Sequence, residues 1–386
     1  MKPGGRHGSA RPPRGRRDRG HLVPGLTLAN ALLARGDRVA LARPGELVED
    51  RFPVPAGLER FRLAVPKGRL GLALSLPRAV MRATRLLDEL GADLLVGLGG
   101  YGSLPALLAA RRRRVPVVLL EQNLVLGKAN RVGLRFARRV YTAFPDTAPV
   151  PERRLDDRFR GLGMPLRPGR PCARDPLLRQ RLGIAPDKRI VLVLGGSQGA
   201  SSLNRAVPPF LATLPAELRG TLAVLHAAGP GKEGECAEAW RTTGIEAHVF
   251  PFLEDPAPFL ALADVVLCRG GGTTLVEVAA AARPALVVPY PWHADRQQEL
   301  NARWFEERGV FRVLAQDALM GTGEDRAAAG SWLADLLRDD GHRRELGRRA
   351  GTLLPRDATR RILDDLDVLL RGGRGTTRAV TEVAEA

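Results

Sequence analysis

With 44% hydrophobic and 26% charged residues, the 386-residue chain has the composition of a soluble globular protein, long enough for two ordinary cores. Its net charge of +18 is lopsided: residues 1–164 hold 31 lysines and arginines against 14 acidic residues, and residues 165–386 are nearly balanced. No apolar run reaches the ~18–20 residues of a membrane span, no secretory apolar stretch follows the basic start, and Cys172, Cys236 and Cys268 lack the spacing of zinc ligands or disulfide pairs.

In chain order, the helical pattern Pro24–Ala34 comes first, followed by strands Arg38–Leu41 and Phe61–Val65. Strands Leu94–Leu98, Val117–Leu120 and Val140–Ala143 then alternate with helical patterns Ser103–Arg112 and Leu126–Arg138. A stretch rich in Pro and Arg, Pro165 to Arg174, interrupts the pattern and marks a domain boundary. Alternation resumes with strands Ile190–Leu194, Leu222–Leu225, Ala247–Val249, Val265–Leu267 and Ala285–Val288. A last helical pattern, Thr359–Leu370, precedes a polar tail with no clear fold signal. The expected fold class is α/β: two Rossmann-like, doubly wound domains facing a cleft. Residues 1–166 form the first, 167–355 the second, and 356–386 a C-terminal helix and tail. One part is missing. A doubly wound domain opens with an apolar strand running into a glycine turn, and residues 1–20 (MKPGGRHGSARPPRGRRDRG) contain no such strand.

Two glycine turns carry the chemistry. In Ile190–Gly199 (IVLVLGGSQG) a strand feeds a glycine turn and then a helix start, whose unpaired N–H groups and positive dipole end suit an anion. Cys268–Glu277 (CRGGGTTLVE) repeats the arrangement, with Thr273 and Thr274 placed to cap the helix and Glu277 placed to accept a ribose diol. A dinucleotide site would want an acidic residue at the end of the strand after the first turn. That strand ends Leu225–His226–Ala227, which disfavours NAD. Downstream, Asp295, Gln297 and Gln298 in PYPWHADRQQ offer acceptors and amides to sugar hydroxyls.

Gly99–Pro105 (GGYGSLP), Glu121–Arg131 (EQNLVLGKANR), Gly195–Asn204 (GGSQGASSLN), Arg269–Glu277 and Asp295–Asn301 (DRQQELN) resemble segments of the MurG family of GT-B transferases. They follow the family's order and spacing from about residue 20 to 310. The resemblance implies a UDP-N-acetylglucosamine donor in the C-terminal domain. It puts Phe252 and Leu253 beside the uracil, Glu277 on the ribose, and Ser197 with Gly272, Thr273 and Thr274 on the diphosphate. Arg167 would lie near the phosphates, Gln297 and Gln298 would read the sugar, and Asn123 would reach it from the other domain. Gln198, Arg269 and Leu275 fall among the donor-side positions, and Gly20 and Tyr101 on the acceptor side. The implied acceptor is a polyprenyl-pyrophosphate-linked muramyl pentapeptide on the cytoplasmic leaflet.

His21 matches the family histidine proposed to activate the acceptor hydroxyl, and its reference pKa of ~6.5 suits a general base. An α-linked donor giving a β-linked product requires one in-line displacement, with the departing diphosphate stabilised by helix N-termini and Arg167. No metal or other cofactor is strictly required. The family's first turn, Gly-Gly-Thr-Gly-Gly-His, is here Arg16-Arg17-Asp18-Arg19-Gly20-His21, and Met164 stands where the family has Asn. Donor binding is therefore more firmly implied than acceptor binding.

The basic excess suits an anionic surface. Only 5% of residues are aromatic, with none interleaved among the basic runs, so a nucleic-acid partner is not expected. Arg78, Arg82 and Arg85 share one side of a predicted helix, preceded by Leu70, Leu72, Leu74 and Leu76. Such a stripe suits a peripheral enzyme on anionic lipid, unless those leucines form an inward-packed strand. Arg111–Arg114 complement the end of a helix. Two alternatives stay open at this point: a GT-B transferase with another lipid or natural-product acceptor, or a donor-binding relative without catalysis.

Overall fold

The computed structural model describes residues 22–43, 55–63, 69–147, 157–167, 173–292, 295–370 and 378–382. Six strands come before the domain junction: β1 Arg38–Arg43, β2 Glu59–Arg62, β3 Leu94–Gly97, β4 Val117–Glu121, β5 Arg139–Thr142 and β6 Phe159–Arg160. Six follow it: β7 Arg189–Leu194, β8 Leu222–Ala227, β9 Glu246–Phe250, β10 Val265–Cys268, β11 Ala285–Val287 and β12 Phe311–Val313. The last, β13 Arg378–Glu382, lies in the C-terminal tail.

These strands make two all-parallel sheets, ordered β2-β1-β13-β3-β4-β5-β6 and β12-β11-β10-β7-β8-β9. Both faces of each are covered, which is why β3, β4, β7, β8 and β10 read as largely apolar runs rather than as alternation. In the C-terminal sheet one core side centres on Ile190, Leu192, Val266, Leu275 and Phe305, the other on Val191, Val193, Phe210, Trp240 and Leu333. Leu28, Leu41 and Val96 on one side, and Ala40, Leu95 and Leu107 on the other, build the N-terminal core. The expected pair of doubly wound domains is what the chain forms.

The chain crosses between the sheets at Gly161–Pro165 and returns near Pro355, where the backbone packs so tightly that a Cβ on Gly163 (φ +86°) would sit 2.8 Å from the Pro355 carbonyl oxygen. After that return, helix Ala358–Leu370 docks on the N-terminal core through Ile362 and Leu366. Asp365 there accepts from the Tyr141 hydroxyl at 2.9 Å and from Arg139 Nε at 3.1 Å.

Several expectations need correction. The tail is not without structure: β13 lies between β1 and β3, in the middle of the N-terminal sheet. β6 and β12 were not anticipated, being only two and three residues long. The strand expected at Phe61–Val65 is Glu59–Arg62. The continuous helix expected over Leu126–Arg138 is helical only at Lys128–Gly133, where Gly133 seats its backbone against Leu107 and Leu119. Leu70, Leu72, Leu74 and Leu76 belong neither to a strand nor to a lead-in segment, since the helix runs Arg69–Leu90. Its later turns expose Arg78, Arg82 and Arg85, with Met81 at 53% exposure among them. Among the described residues, no helix is long and apolar enough to cross a membrane.

Candidate active site

In an open parallel sheet, ligands gather beyond the C-terminal ends of the strands at the point where strand order reverses. In the C-terminal sheet that point lies between the neighbours β7 and β10, and each of these strands runs directly into one of the glycine turns.

The β7 turn leads into helix Ser201–Leu211, whose first residues have no side-chain cap. Gly199 has φ +64°, and a Cβ there would run into the Ala228 carbonyl. The turn is thus clamped against the end of β8, and Lys232 Nζ donates to Gln198 O at 2.7 Å. Beneath it lies a buried relay. Trp240 Nε1 donates to His226 Nδ1 at 3.1 Å, and the far nitrogen of His226 meets Asn204 Oδ1, also at 3.1 Å. Asn204 Nδ2 in turn donates to Ala228 O at 2.9 Å. Burial depresses the His226 pKa to about 3, so the ring is neutral. A neutral ring that accepts at Nδ1 carries its proton on Nε2, facing Asn204.

From β10 the chain enters helix Gly272–Ala280, with Gly271 as its N-cap and no side-chain cap. Thr273 and Thr274 were expected to cap it; they lie inside its first turn instead. The helix start is pressed against the other domain, since a Cβ on Gly272 would collide with the Gln122 carbonyl. Only glycine allows that approach. Glu277 follows on the same helix, half-buried, while Leu275 is wholly in the core and can offer a ligand only its backbone.

The facing loop, Gln122–Gly127, is held by a carboxylate. Glu121 is buried and accepts four hydrogen bonds, from Asn123 N (3.0 Å) and Nδ2 (2.9 Å), Gly127 N (2.9 Å) and Asn130 Nδ2 (2.9 Å). Hydrogen bonds to a charged group contribute about 1.5–3 kcal/mol each, so Glu121 pins this loop to the end of β4. Asn301 is fully buried and ties the two domains together. Its Oδ1 accepts from Leu124 N at 2.8 Å, and its Nδ2 donates to Asn123 Oδ1 at 3.0 Å and Gly270 O at 3.1 Å. Gln297 Nε2 reaches Val125 O at 3.4 Å, and Gln298 Oε1 accepts from Tyr290 N at 3.0 Å. Asp295 Oδ1 is buried and has no hydrogen-bond partner among the described residues.

The remaining sequence-derived positions divide by what they touch. Arg269 is buried and donates to Val288 O, Pro289 O, Ser202 Oγ and Gln316 Oε1, so its charge braces both turns from behind. Arg167 Nη1 donates to Glu254 O at 2.9 Å and lies 3.3 Å from Asp255, which anchors the junction to the loop after β9. Phe252 packs toward the N-terminal core and Leu253 into the C-terminal one, so this loop too spans the cleft. Ser197 is half-buried at the β7 turn. On the N-terminal side Tyr101 lies in the short turn after β3, beside Gly99 and Gly100, both at positive φ. His21 and Gly20 lie outside the described residues.

Sequence reasoning missed Glu121 and Asn301 as functional residues, although both stand inside segments it singled out. The usable signal was a carboxylate closing an apolar strand, and an amide one turn into the helix after Gln297. The pairing of Asp146 with Trp304 Nε1 (2.7 Å) and with Arg308 (2.8 Å) left no such mark.

Comparison with known proteins matches residues 18–142 to the glycosyltransferase family 28 N-terminal domain and residues 190–323 to the family 28 C-terminal domain. A Pseudomonas paraeruginosa protein named UDP-N-acetylglucosamine–N-acetylmuramyl-(pentapeptide) pyrophosphoryl-undecaprenol N-acetylglucosamine transferase is 38% identical over 364 residues, covering 92% of this chain and 96% of its own. A protein of the same name from Albidiferax ferrireducens is 36% identical, covering 91% and 89%. Among solved structures, Acinetobacter baumannii MurG is 27% identical with a TM-score of 0.69, covering 90% of this chain and 96% of its own. WaaG, a glycosyltransferase involved in lipopolysaccharide biosynthesis, shares the fold at 18% identity and a TM-score of 0.53, covering 92% and 96%.

Proposed function

We propose a residue-level account of one reaction, on the premise that the chain belongs to the MurG family of the family 28 glycosyltransferases. It is a UDP-N-acetylglucosamine-dependent N-acetylglucosaminyltransferase, moving the sugar onto undecaprenyl-pyrophosphoryl-N-acetylmuramyl pentapeptide in peptidoglycan synthesis.

One observation carries the donor site: two glycine turns open side by side at the switch point of the C-terminal sheet, closed over by the loop that Glu121 holds. The diphosphate lies across the two helix starts, where backbone N–H groups and aligned dipoles offset its charge. That charge grows as the sugar leaves, so the same groups stabilise the transition state more than the ground state. Glu277 takes the ribose diol and the loop Phe252–Leu253 borders the uracil. Asp295 Oδ1, which has no hydrogen-bond partner among the described residues, accepts from a sugar hydroxyl, beside Gln297, Gln298 and Asn123. Arg269 and Asn301 act at one remove, fixing the turns and the closure. His21 removes the proton of the attacking hydroxyl in a single inverting displacement, and no metal enters the scheme.

The acceptor is presented at the cytoplasmic face of the membrane, where Arg78, Arg82, Arg85 and Met81 meet anionic lipid. The deciding experiment is transfer of labelled N-acetylglucosamine to a short-chain lipid-linked muramyl pentapeptide. Donor binding without product would leave the chain a binding relative rather than a transferase.

A further inference from the structure

Helix Gln297–Glu306 belongs to the C-terminal domain, yet one of its faces is turned to the N-terminal one. Gln297, Asn301 and Trp304, spaced four and three residues apart, share that face, and Arg308 follows just past the helix end. Gln297 Nε2 reaches Val125 O, and Asn301 bonds Leu124 N and Asn123 Oδ1. Further along, Trp304 Nε1 donates to Asp146 Oδ2 at 2.7 Å, and Arg308 Nη2 donates to the same oxygen at 2.8 Å. The Arg308 guanidinium also lies 3.8 Å from the centre of the Trp304 ring. Two residues before Asp146, the fully buried Phe144 sits edge to face against Trp304 at 5.2 Å and Phe305 at 5.8 Å. The two N-terminal segments are joined to each other. The hydroxyl of Thr147, itself fully buried, lies 3.2 Å from Asn123 O and 3.0 Å from Phe144 O. The N-terminal domain thus grips this helix at two levels.

We propose that Asp146 is a positioning residue for donor selectivity: by fixing the far end of this helix it sets where Gln297 and Gln298, at the near end, meet the sugar. This rests on those two glutamines facing the N-acetylglucosamine. Asn301 is the pivot, bonded to Leu124 and Asn123 of one domain and to Gly270 O of the other. A helix rises about 1.5 Å per residue, so Trp304 lies roughly 4–5 Å to one side of Asn301 and Gln297 about 6 Å to the other. A tilt at Trp304 therefore moves the glutamines by a comparable distance in the opposite direction. The donor–acceptor range of a hydrogen bond is only about 0.5 Å wide, so a small tilt is enough to misplace them. The bond from Arg308 carries charge, which makes Asp146 the strongest polar hold at that end. From the C-terminal side the same end is held by Phe305, stacked on Phe311 at 4.5 Å, and by Glu306, which accepts from Val313 N at 2.8 Å. Loss of Asp146 leaves the helix folded and removes only the hold of the N-terminal domain. Uridine and diphosphate are met by elements other than this helix. The domain that presents the acceptor thus takes part in choosing the donor sugar.

The test is calorimetry on the full-length chain with UDP-N-acetylglucosamine, its 4-epimer UDP-N-acetylgalactosamine, and UDP. In Asp146→Ala the affinity ratio of the first to the second should narrow by roughly 2–30-fold, while UDP binds within about twofold of wild type. The Asp146 side chain is 56% exposed, so its removal opens no cavity. Asp146→Asn can still accept from the indole N–H and should keep most of the ratio. An unchanged ratio in Asp146→Ala would overturn the proposal. So would UDP affinity falling in step with that of both sugar nucleotides, the mark of a general loss of structure. A wild type that does not separate the two epimers would instead remove the glutamines from the sugar, and the proposal with them.

Discussion

At the switch point of the C-terminal sheet, strand, glycine turn and helix follow one another without a break, twice: β7 into Gly195–Gly199 into helix Ser201–Leu211, and β10 into Arg269–Gly271 into helix Gly272–Ala280. At the N-terminal switch point, between β13 and β3, one side among the described residues is built that way, from β3 through Gly99 and Gly100 to helix Leu104–Arg113. On the other side the strand ends at Glu382, near the chain's end, and the helix begins at Leu22. A turn tied to its own strand and helix is positioned by covalent geometry. Among the described residues, the donor half of the cleft is thus built from two contiguous strand–turn–helix units and the N-terminal half from one.

The largest expected effects lie on the acceptor side. Replacing residues 1–20 by an apolar strand ending in Gly-Gly-Thr-Gly-Gly should displace β13 from between β1 and β3 and raise turnover at least ~100-fold, the scale of gain that positioning a reacting group gives. Equal turnover in the two chains would show that the first turn is dispensable here. In whichever chain is active, His21→Ala should lower turnover by roughly 10²–10⁴-fold while calorimetry finds donor affinity little changed. A matching loss of affinity would place His21 at the donor and weaken the division between the halves.

On the donor side, Glu277→Ala should weaken UDP-N-acetylglucosamine binding by roughly 1–3 kcal/mol, because buried hydroxyls lose a charged acceptor. Calorimetric affinities equal for wild type and variant would remove Glu277 from the site. The His226 relay beneath the β7 turn gives a pH signature confined to this half. Its pKa, about 3 in the folded chain, lies below the unfolded value of ~6.5, so the unfolded chain takes up the proton first. Stability contributed by the neutral ring is whole above pH ~6.5 and falls by about 1.4 kcal/mol per pH unit on the way down to about 3. Urea titrations at pH 7 and pH 5 should show that loss in the wild type and a flatter dependence in His226→Gln. The smallest effect is on the outer surface. Reversing Arg78, Arg82 and Arg85 to glutamate should release the protein from anionic vesicles, and added salt should do the same to the wild type. Binding equal on neutral vesicles would rule out the electrostatic attachment.

The same contrast explains what could be read from the sequence. β7, β10 and their turns announced themselves because an apolar run, glycines and a helix start lie within ten residues of one another. β13 did not, because five residues of mixed polarity become a central strand only through partners at Arg38–Ala42 and Leu94–Gly97, more than 280 residues away. Within the site, Glu277 and the turns were visible as local chemistry. The four hydrogen bonds of Glu121 and the bridge through Asn301 depend on which loops face each other across the cleft. Thr273 and Thr274 were misread as caps because the helix starts at Gly272, earlier than a threonine cap would allow.

A strand supplied from residues 378–382 also sets a timetable for synthesis. The ribosome releases the N-terminal half first, yet β1 and β3 cannot meet their shared partner until residues 378–382 have been made. At roughly 5–20 residues per second, β1 and β3 wait on the order of 15–60 seconds with facing edges unpaired. The C-terminal domain, whose strands are contiguous, can fold during that interval, so the order of completion runs opposite to the order of translation. Nascent chains stalled just short of residue 378 should therefore expose the β1 and β3 edges to chaperones, and a stop codon there should be felt first as aggregation.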